Sequence, residues 1–261
     1  MITELLVILT LITFSQTTDY CNKQLCQRIA GGKLLKHIGC KNNLNFGPKC
    51  PKDRSVEPMT AERISLLLQT HNQLRSDIAT GKIQRYDQAD QMIEMEWDHE
   101  LARLAEMNVK TCIFAHDECR STDQYPLPGQ NIHITWFKNQ GYEDVDFNLV
   151  ESTKSWFREH ELCDMSFIHN YRRSDEKIGH FTQIVKAAAD RVGCALAKYD
   201  DGKQKNMLLT CNYSVGDILD EPIYTTGNPC SKCLSGCSQL YSGLCHSNEK
   251  TYWVNDNGNK Y

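Results

Sequence analysis

The chain has 261 residues, enough for one ordinary domain with extensions or for two small domains. Hydrophobic residues make up 40% of it and prolines number only seven, which argues against disorder. The formal net charge is −4 and the basic residues are scattered, which argues against a nucleic-acid surface or a basic membrane-binding patch.

The N-terminus reads MITELLVILTLITFSQTTDYC. Its apolar run, Leu5 to Phe14, is too short to span a bilayer, whereas a signal peptide needs only such a run. Ser15 and Thr17 stand in a −3/−1 relation, so residues 1–17 are read as a signal peptide cleaved after Thr17. Glu4 stands where a positive residue is usual. No later stretch is long and apolar enough for a membrane span, so the chain is read as secreted and extracellular. All 13 cysteines fall after residue 17. In an oxidising compartment that density means disulfides, and the odd number leaves one thiol free or paired with another molecule.

The cysteines divide the chain into zones. Residues 18–58 hold Cys21, Cys26, Cys40 and Cys50 in a loop region with little periodicity. Residues 59–219 carry the periodic elements. Residues 220–245 hold Cys230, Cys233, Cys237 and Cys245 in a second loop-like stretch, and 246–261 form a polar tail.

Thr60 reads as a helix N-cap and Gly81 as the residue past its end. Between them Ile64, Leu67, Leu68, His71, Leu74 and Ile78 recur at three- and four-residue steps, one apolar face with His71 in its middle. Asp98 caps a second helix whose inner face is Leu101, Leu104, Ala105 and Cys112. The segment NIHITW sets Ile132, Ile134 and Trp136 on one side and His133 and Thr135 on the other, the alternation of a strand. Residues 145–160 favour a third helix. VGCALAKY and MLLTCNY flank DDGKQKN as a hairpin. If Cys194 faces Cys211, then Asp200 faces Lys205 across a four-residue loop containing Gly202, and a Cys194–Cys211 disulfide follows. Helices with an antiparallel sheet give an α/β or α+β domain.

Several motifs fail on inspection. His160-Glu161-Leu162-Cys163-Asp164 begins like a zinc-protease helix but has Asp164 in place of the second histidine. Gly236-Cys237-Ser238-Gln239-Leu240 misses the final glycine of a serine-hydrolase elbow. Cys230-x-x-Cys233 suggests a disulfide before a zinc or redox site, given secretion. Arg75-Ser76-Asp77 lies within a helix and lacks the glycine of an integrin-binding tripeptide. Asn212-Tyr213-Ser214 is a possible N-glycosylation sequon at Asn212, although it falls in a strand. That leaves His71 and His180, the latter in GHFTQIV. Two histidines at inward positions need polar partners, because an unpaired buried imidazole is costly, and Glu159 in SWFRE is a candidate.

The motifs HNQLR at 71–75, MEWDHELARLAEMNVKTC at 95–112, HDEC at 116–119, GQNI at 129–132, GHFTQIV at 179–185, LLTCNYS at 208–214 and GNPCSKC at 227–233 occur in the order found in the CAP superfamily. The chain resembles its antigen 5 branch, known from insect saliva and venom, over nearly all of the part following residue 17. The resemblance implies a three-layer α-β-α sandwich with a central cleft, a disulfide-rich N-terminal loop region and a short cysteine-rich hinge. That cleft typically holds two histidines and two glutamates, often with zinc or another divalent ion on the histidines. Carried onto this sequence, the histidines are His71 and His180 and one glutamate is Glu159. The second belongs in GQNI, where this chain has Gln130; an amide can hydrogen-bond but cannot act as a base at neutral pH.

The family pattern also implies the pairs Cys21–Cys40, Cys26–Cys119, Cys50–Cys112 and Cys194–Cys211, with Cys230–Cys237 and Cys233–Cys245 inferred for the hinge. Cys163 is then left over, either as a buried thiol or as the link of a covalent dimer in place of a monomer. The resemblance implies a secreted, non-enzymatic allergen-type protein that binds a small amphiphile or lipid mediator, or a host target. The alternatives are a metal-assisted hydrolase using the cleft, or a toxin directed at a receptor or channel.

Overall fold

The computed structural model of the chain describes residues 18–27, 33–138, 141–142 and 144–249. The expected signal peptide and residues 250–261 of the polar tail lie outside the described residues. One hairpin organises the rest. Its strands, Arg191–Asp200 and Lys205–Tyr213, pair antiparallel with Cys194 opposite Cys211 and Asp200 opposite Lys205.

In chain order the elements are helix α1 (Gln24–Gln27), strand β1 (Arg54–Glu57), helix α2 (Ala61–Ala79), the short strand β2 (Glu96–Trp97) and helix α3 (His99–Val109). Strand β3 (Gly129–Phe137), helix α4 (Val145–Arg158) with a 3-10 turn at Glu159–Glu161, and the short helices α5 (Met165–His169) and α6 (Gly179–Val185) follow. The hairpin strands β4 and β5 end the regular structure. The sheet runs β1-β4-β5-β3, and β2 adds a parallel pairing to β4. The GHFTQIV segment, to which no periodicity assigns an element, is helix α6.

Helix starts follow their caps. Thr60 Oγ1 accepts from the Arg63 N–H, and Asp98 Oδ1 accepts from the Leu101 N–H at 2.8 Å. Alternation along the strands then divides the core. Ala195, Ala197 and Leu208 face α3, where they meet Ala105 and Val109. Leu196, Leu209 and Tyr213 face the other way, toward Leu67 of α2, Trp156 of α4 and Phe181 of α6. The result is the three-layer α-β-α sandwich. Gly193 in β4 has no room for a side chain: a Cβ there would sit 2.2 Å from the Ala102 nitrogen of α3. The strand and helix therefore pack backbone to backbone, which brings Asn212 and Asn108 within bonding distance of the cleft residues described below.

Disulfides join Cys21 to Cys40, Cys26 to Cys119, Cys50 to Cys112, Cys194 to Cys211 and Cys233 to Cys245. The inferred Cys230–Cys237 bond is not formed. Both residues are thiols, Cys230 donating to the Leu244 carbonyl at 3.4 Å, and burial together with its neighbour Cys237 pushes the Cys230 thiol up to about 12. Cys163 is also a thiol but is 2% exposed, so it offers no surface through which a second chain could bond.

Burial rules out a glycan at Asn212 and agrees with the rejection of the Arg75-Ser76-Asp77 motif. Asn212 is fully buried and donates to the Leu101 carbonyl at 3.0 Å, so a glycan cannot be carried there. Arg75 is equally buried, its guanidinium donating to the carbonyls of Ile93, Ile184, Lys186 and Ala187. It ties α2 to the chain around α6 and is closed to any partner. Among the described residues no helix is long and apolar enough to cross a membrane.

Candidate functional site

A cleft of about 830 Å³ opens between the N-terminus of α6, the start of β3 and the loop after β5. His180 lies in the first turn of α6. Its Nδ1–H donates to Glu159 Oε1 at 2.6 Å, while its backbone N–H donates to Oε2 of the same carboxylate at 2.9 Å. The Trp156 ring stacks on the imidazole with centroids 5.9 Å apart. These contacts fix the ring, and Nε2 has no hydrogen-bond partner among the described residues. The 3-10 turn that ends α4 places Glu159 here, since α4 itself stops at Arg158.

The second histidine of the cleft is His116. Its Nδ1 lies 2.8 Å from Gln130 Oε1, and both side chains line the cleft beside His180. Although the residue as a whole is exposed, desolvation lowers its pKa, with the Gln130 bond opposing and the charges of Arg120 and His180 adding to the decrease, so the neutral ring is favoured.

His71, expected opposite His180, is elsewhere. It is fully buried in α2, its Nδ1–H donating to the Leu67 carbonyl at 2.8 Å and its Nε2 accepting from the Tyr213 hydroxyl at 3.0 Å. Both nitrogens are used inside the core, and burial pushes its pKa down to about 4. The reason is geometric. An inward position on α2 points into the core, where Tyr213 stands between the ring and the cleft-lining Asn131. His71 touches the cleft only at second hand, through Tyr213 to Asn131, whose Nδ2 also donates to the His180 carbonyl at 3.0 Å. The structure therefore groups His180, Glu159 and Gln130 with His116 in place of His71. HDEC at 116–119 carried the necessary signal, a histidine just ahead of a disulfide cysteine that ties it to the N-terminal region.

Chemically the site offers two imidazoles, His116 and His180, each held at Nδ1 by a side-chain partner. Among the described residues no group of three or more His, Cys, Asp or Glu side chains is arranged to hold a metal. A divalent ion here would have His116 and His180 as protein ligands, with Glu159 behind His180 as the hydrogen-bonded carboxylate that such ligands commonly carry. The donor set fits zinc in type but supplies only two of its usual four positions.

The sequence profile of the CAP family, the cysteine-rich secretory protein family, matches residues 68–213. Venom allergen-1 of Aedes aegypti is 39% identical over 234 residues, covering 89% of each chain. The antigen 5 like allergen Cul n 1 of Culicoides nubeculosus is 38% identical, over 77% of this chain and 92% of its own. Among solved structures, NaASP2 with Zn2+ superposes with a TM-score of 0.58 at 25% identity, covering 75% of this chain and 99% of that one. The chain belongs to the CAP family, and its relatives at 38–39% identity are venom allergen and antigen 5-like proteins. The disulfides and the extracellular character implied by those relatives agree with the cysteine usage.

Proposed function

We propose that this is a secreted, non-enzymatic CAP protein whose cleft captures a small amphiphile. The observation that carries this reading is the two-sided character of the cleft. Leu127, Pro128, Ile178, Ile218 and Leu219 supply an apolar wall, and the neutral pair His116 and Gln130 with His180 supplies a polar end. Such a mixture of apolar lining and a few placed polar groups suits a ligand with a tail and a head. No serine, threonine or cysteine lies among the described lining residues, and Gln130 stands in the expected place of the second carboxylate, although Glu118, Glu176 and Asp217 also line the cleft.

Gly179 provides the test. A Cβ there would meet only the Tyr171 hydroxyl, at 3.9 Å, so a larger side chain grows into the cleft without disturbing the backbone. Extraction of purified native protein followed by mass spectrometry should yield an amphiphile, and Gly179→Phe should lose it while keeping its fold. Equal recovery from the two proteins would move the ligand out of this cleft.

A second reading, metal-assisted hydrolysis, draws on the ion pair of His180 and Glu159 and on the Zn2+ of the NaASP2 structure. When bound, zinc would acidify a water molecule. Glu159 is already committed to His180 and to two backbone N–H groups, those of His180 and Phe181, which leaves it poorly placed to take a proton. Hydrolysis of ester and peptide substrates that appears with zinc and vanishes in His180→Ala would favour this reading over capture.

A further inference from the structure

The departure at Gln130 has a partner. Asp117 is almost fully buried, with 4% of its side chain exposed, and its Oδ1 accepts from Arg120 Nε at 2.8 Å. Its Oδ2 accepts from Gln130 Nε2 at 2.7 Å and from Asn108 Nδ2 at 3.2 Å. Gln130 Nε2 has a second acceptor in Asn212 Oδ1 at 3.0 Å. The Asn212 amide is itself oriented, because its Nδ2 must face the Leu101 carbonyl. Two acceptors with no proton to give thus meet one end of the Gln130 amide.

That fixes every proton in the chain of bonds. An ionised carboxylate only accepts, so the NH2 end of Gln130 faces Asp117 and its Oε1 faces His116. Oε1 also only accepts, so His116 Nδ1 carries the hydrogen. In the neutral ring the remaining nitrogen, Nε2, is then a lone pair. His180 likewise carries a hydrogen on Nδ1, which meets Glu159 directly.

We infer that Asp117 and Gln130 form a two-residue positioning relay that locks His116 as the Nδ1–H tautomer and turns an Nε2 lone pair to the cleft. Asp117 does at one remove what Glu159 does for His180. His116 then presents a lone pair beside His180, and this selects the head of the ligand: an electron-pair acceptor, either a borderline divalent metal or a hydroxyl or N–H donor. The relay explains why the amide is needed. A glutamate at 130 would set its carboxylate against the Asp117 carboxylate at hydrogen-bond distance, and like charges so placed repel strongly. Gln130 and Asp117 are a matched pair, with the carboxylate lying one residue behind the position where the resemblance implies a glutamate.

The head-group consequence rests on the cleft being the ligand site; the lock itself does not. Two measurements separate them. Two-bond proton–nitrogen NMR correlations on the wild-type protein above pH 7 should show His116 protonated at Nδ1 and unprotonated at Nε2. Detection of the Nε2–H form as the main species would overturn the lock. The second measurement is a stability cycle. Asp117→Asn should lower the melting temperature in the wild-type background, because Arg120 loses its ion pair. In the Gln130→Glu background the same change should raise it, because it removes the opposed charge. Equal decreases in both backgrounds would overturn the pairing. If Gln130→Glu does not fold alone, recovery of folded protein by adding Asp117→Asn gives the same answer, and failure to recover it counts against the relay. Zinc and a long-chain alcohol, tried separately as probes against Gln130→Leu, distinguish the two head-group sources. A loss of about tenfold or more in affinity for either probe supports the selection, and unchanged affinity for both removes it while the NMR result still decides the lock.

Discussion

His180 and Glu159 meet twice, once through the ring Nδ1 at 2.6 Å and once through the backbone N–H at 2.9 Å. A single carboxylate thereby sets both the position of α6 and the orientation of its histidine. The expected consequence is that the two cleft histidines act together on a metal while His71 does not. In calorimetric titrations at neutral pH, zinc uptake by wild type should fall sharply in His116→Ala and in His180→Ala. It should persist in folded His71→Gln. Glu159→Gln should weaken uptake by about 10- to 100-fold, and uptake should decline as pH drops through the histidine range because imidazolium cannot ligate. Loss of zinc in His71→Gln alone would return the site to α2.

The buried pair of His71 and Tyr213 has a different signature, written in stability. Its folded pKa of about 4 lies below the ordinary 6.5, mainly through burial. Between those values the unfolded chain binds a proton that the folded chain refuses. Stability is therefore present above pH 6.5 and is lost as pH falls toward 4, by at most about 3 kcal/mol. Chemical denaturation at a series of pH values should show this slope, and His71→Gln should flatten it. An unchanged slope in the variant would assign acid sensitivity to other groups.

Asp217 acts with the opposite sign in nearly the same window. Burial pushes its carboxyl up to about 6, against the opposing effects of the Thr182 hydrogen bond and the Lys186 charge. Its Oδ1 meets no protein donor, although the residue as a whole is partly exposed. Because the folded value exceeds the unfolded one, the contribution is fully present below about pH 4 and is lost as pH rises through 6. Asp217→Asn should then gain on the order of 1 kcal/mol above pH 6, a figure reduced for partial solvent access, and nothing below pH 4. A gain that persists undiminished at pH 4 would point to packing rather than to charge.

Much of this architecture was legible in the chain. Thr60 and Asp98 announced their helices because a side-chain oxygen before an apolar period has a specific task to do. The hairpin register followed from two cysteines, since a disulfide in an antiparallel pair fixes all other partners. The cleft was harder. His116, Gln130, Glu159 and His180 stand on a loop, a strand, a 3-10 turn and a helix start, so no periodicity relates them. His180 and Glu159 are candidates on the residues themselves, a histidine in an apolar segment and a carboxylate to partner it, whereas Gln130 comes only through the family resemblance. His71 is conspicuous as a histidine on an apolar helix face, yet that position marks burial. The orienting role of Asp117 could not be read from sequence, because it depends on which end of the Gln130 amide faces which oxygen.

The hinge thiols differ in access and in acidity. Cys237 is exposed, Cys230 is half-buried with its pKa pushed up to about 12, and Cys163 is buried with its thiol pushed up to about 11. Alkylation proceeds through the thiolate, so both access and pKa order the rates. In native protein prepared under reducing conditions, Cys237 should label first, Cys230 more slowly and Cys163 only after unfolding. The Cys230 thiol lies beside Cys237, so mild oxidation should join the two and remove both labels together. Closing so short a loop should add roughly 2 kcal/mol of stability. Peptide mapping by mass spectrometry decides the matter. Recovery of Cys163 in a bond to either hinge cysteine, or in a disulfide-linked dimer, would contradict both its burial and this order of reactivity.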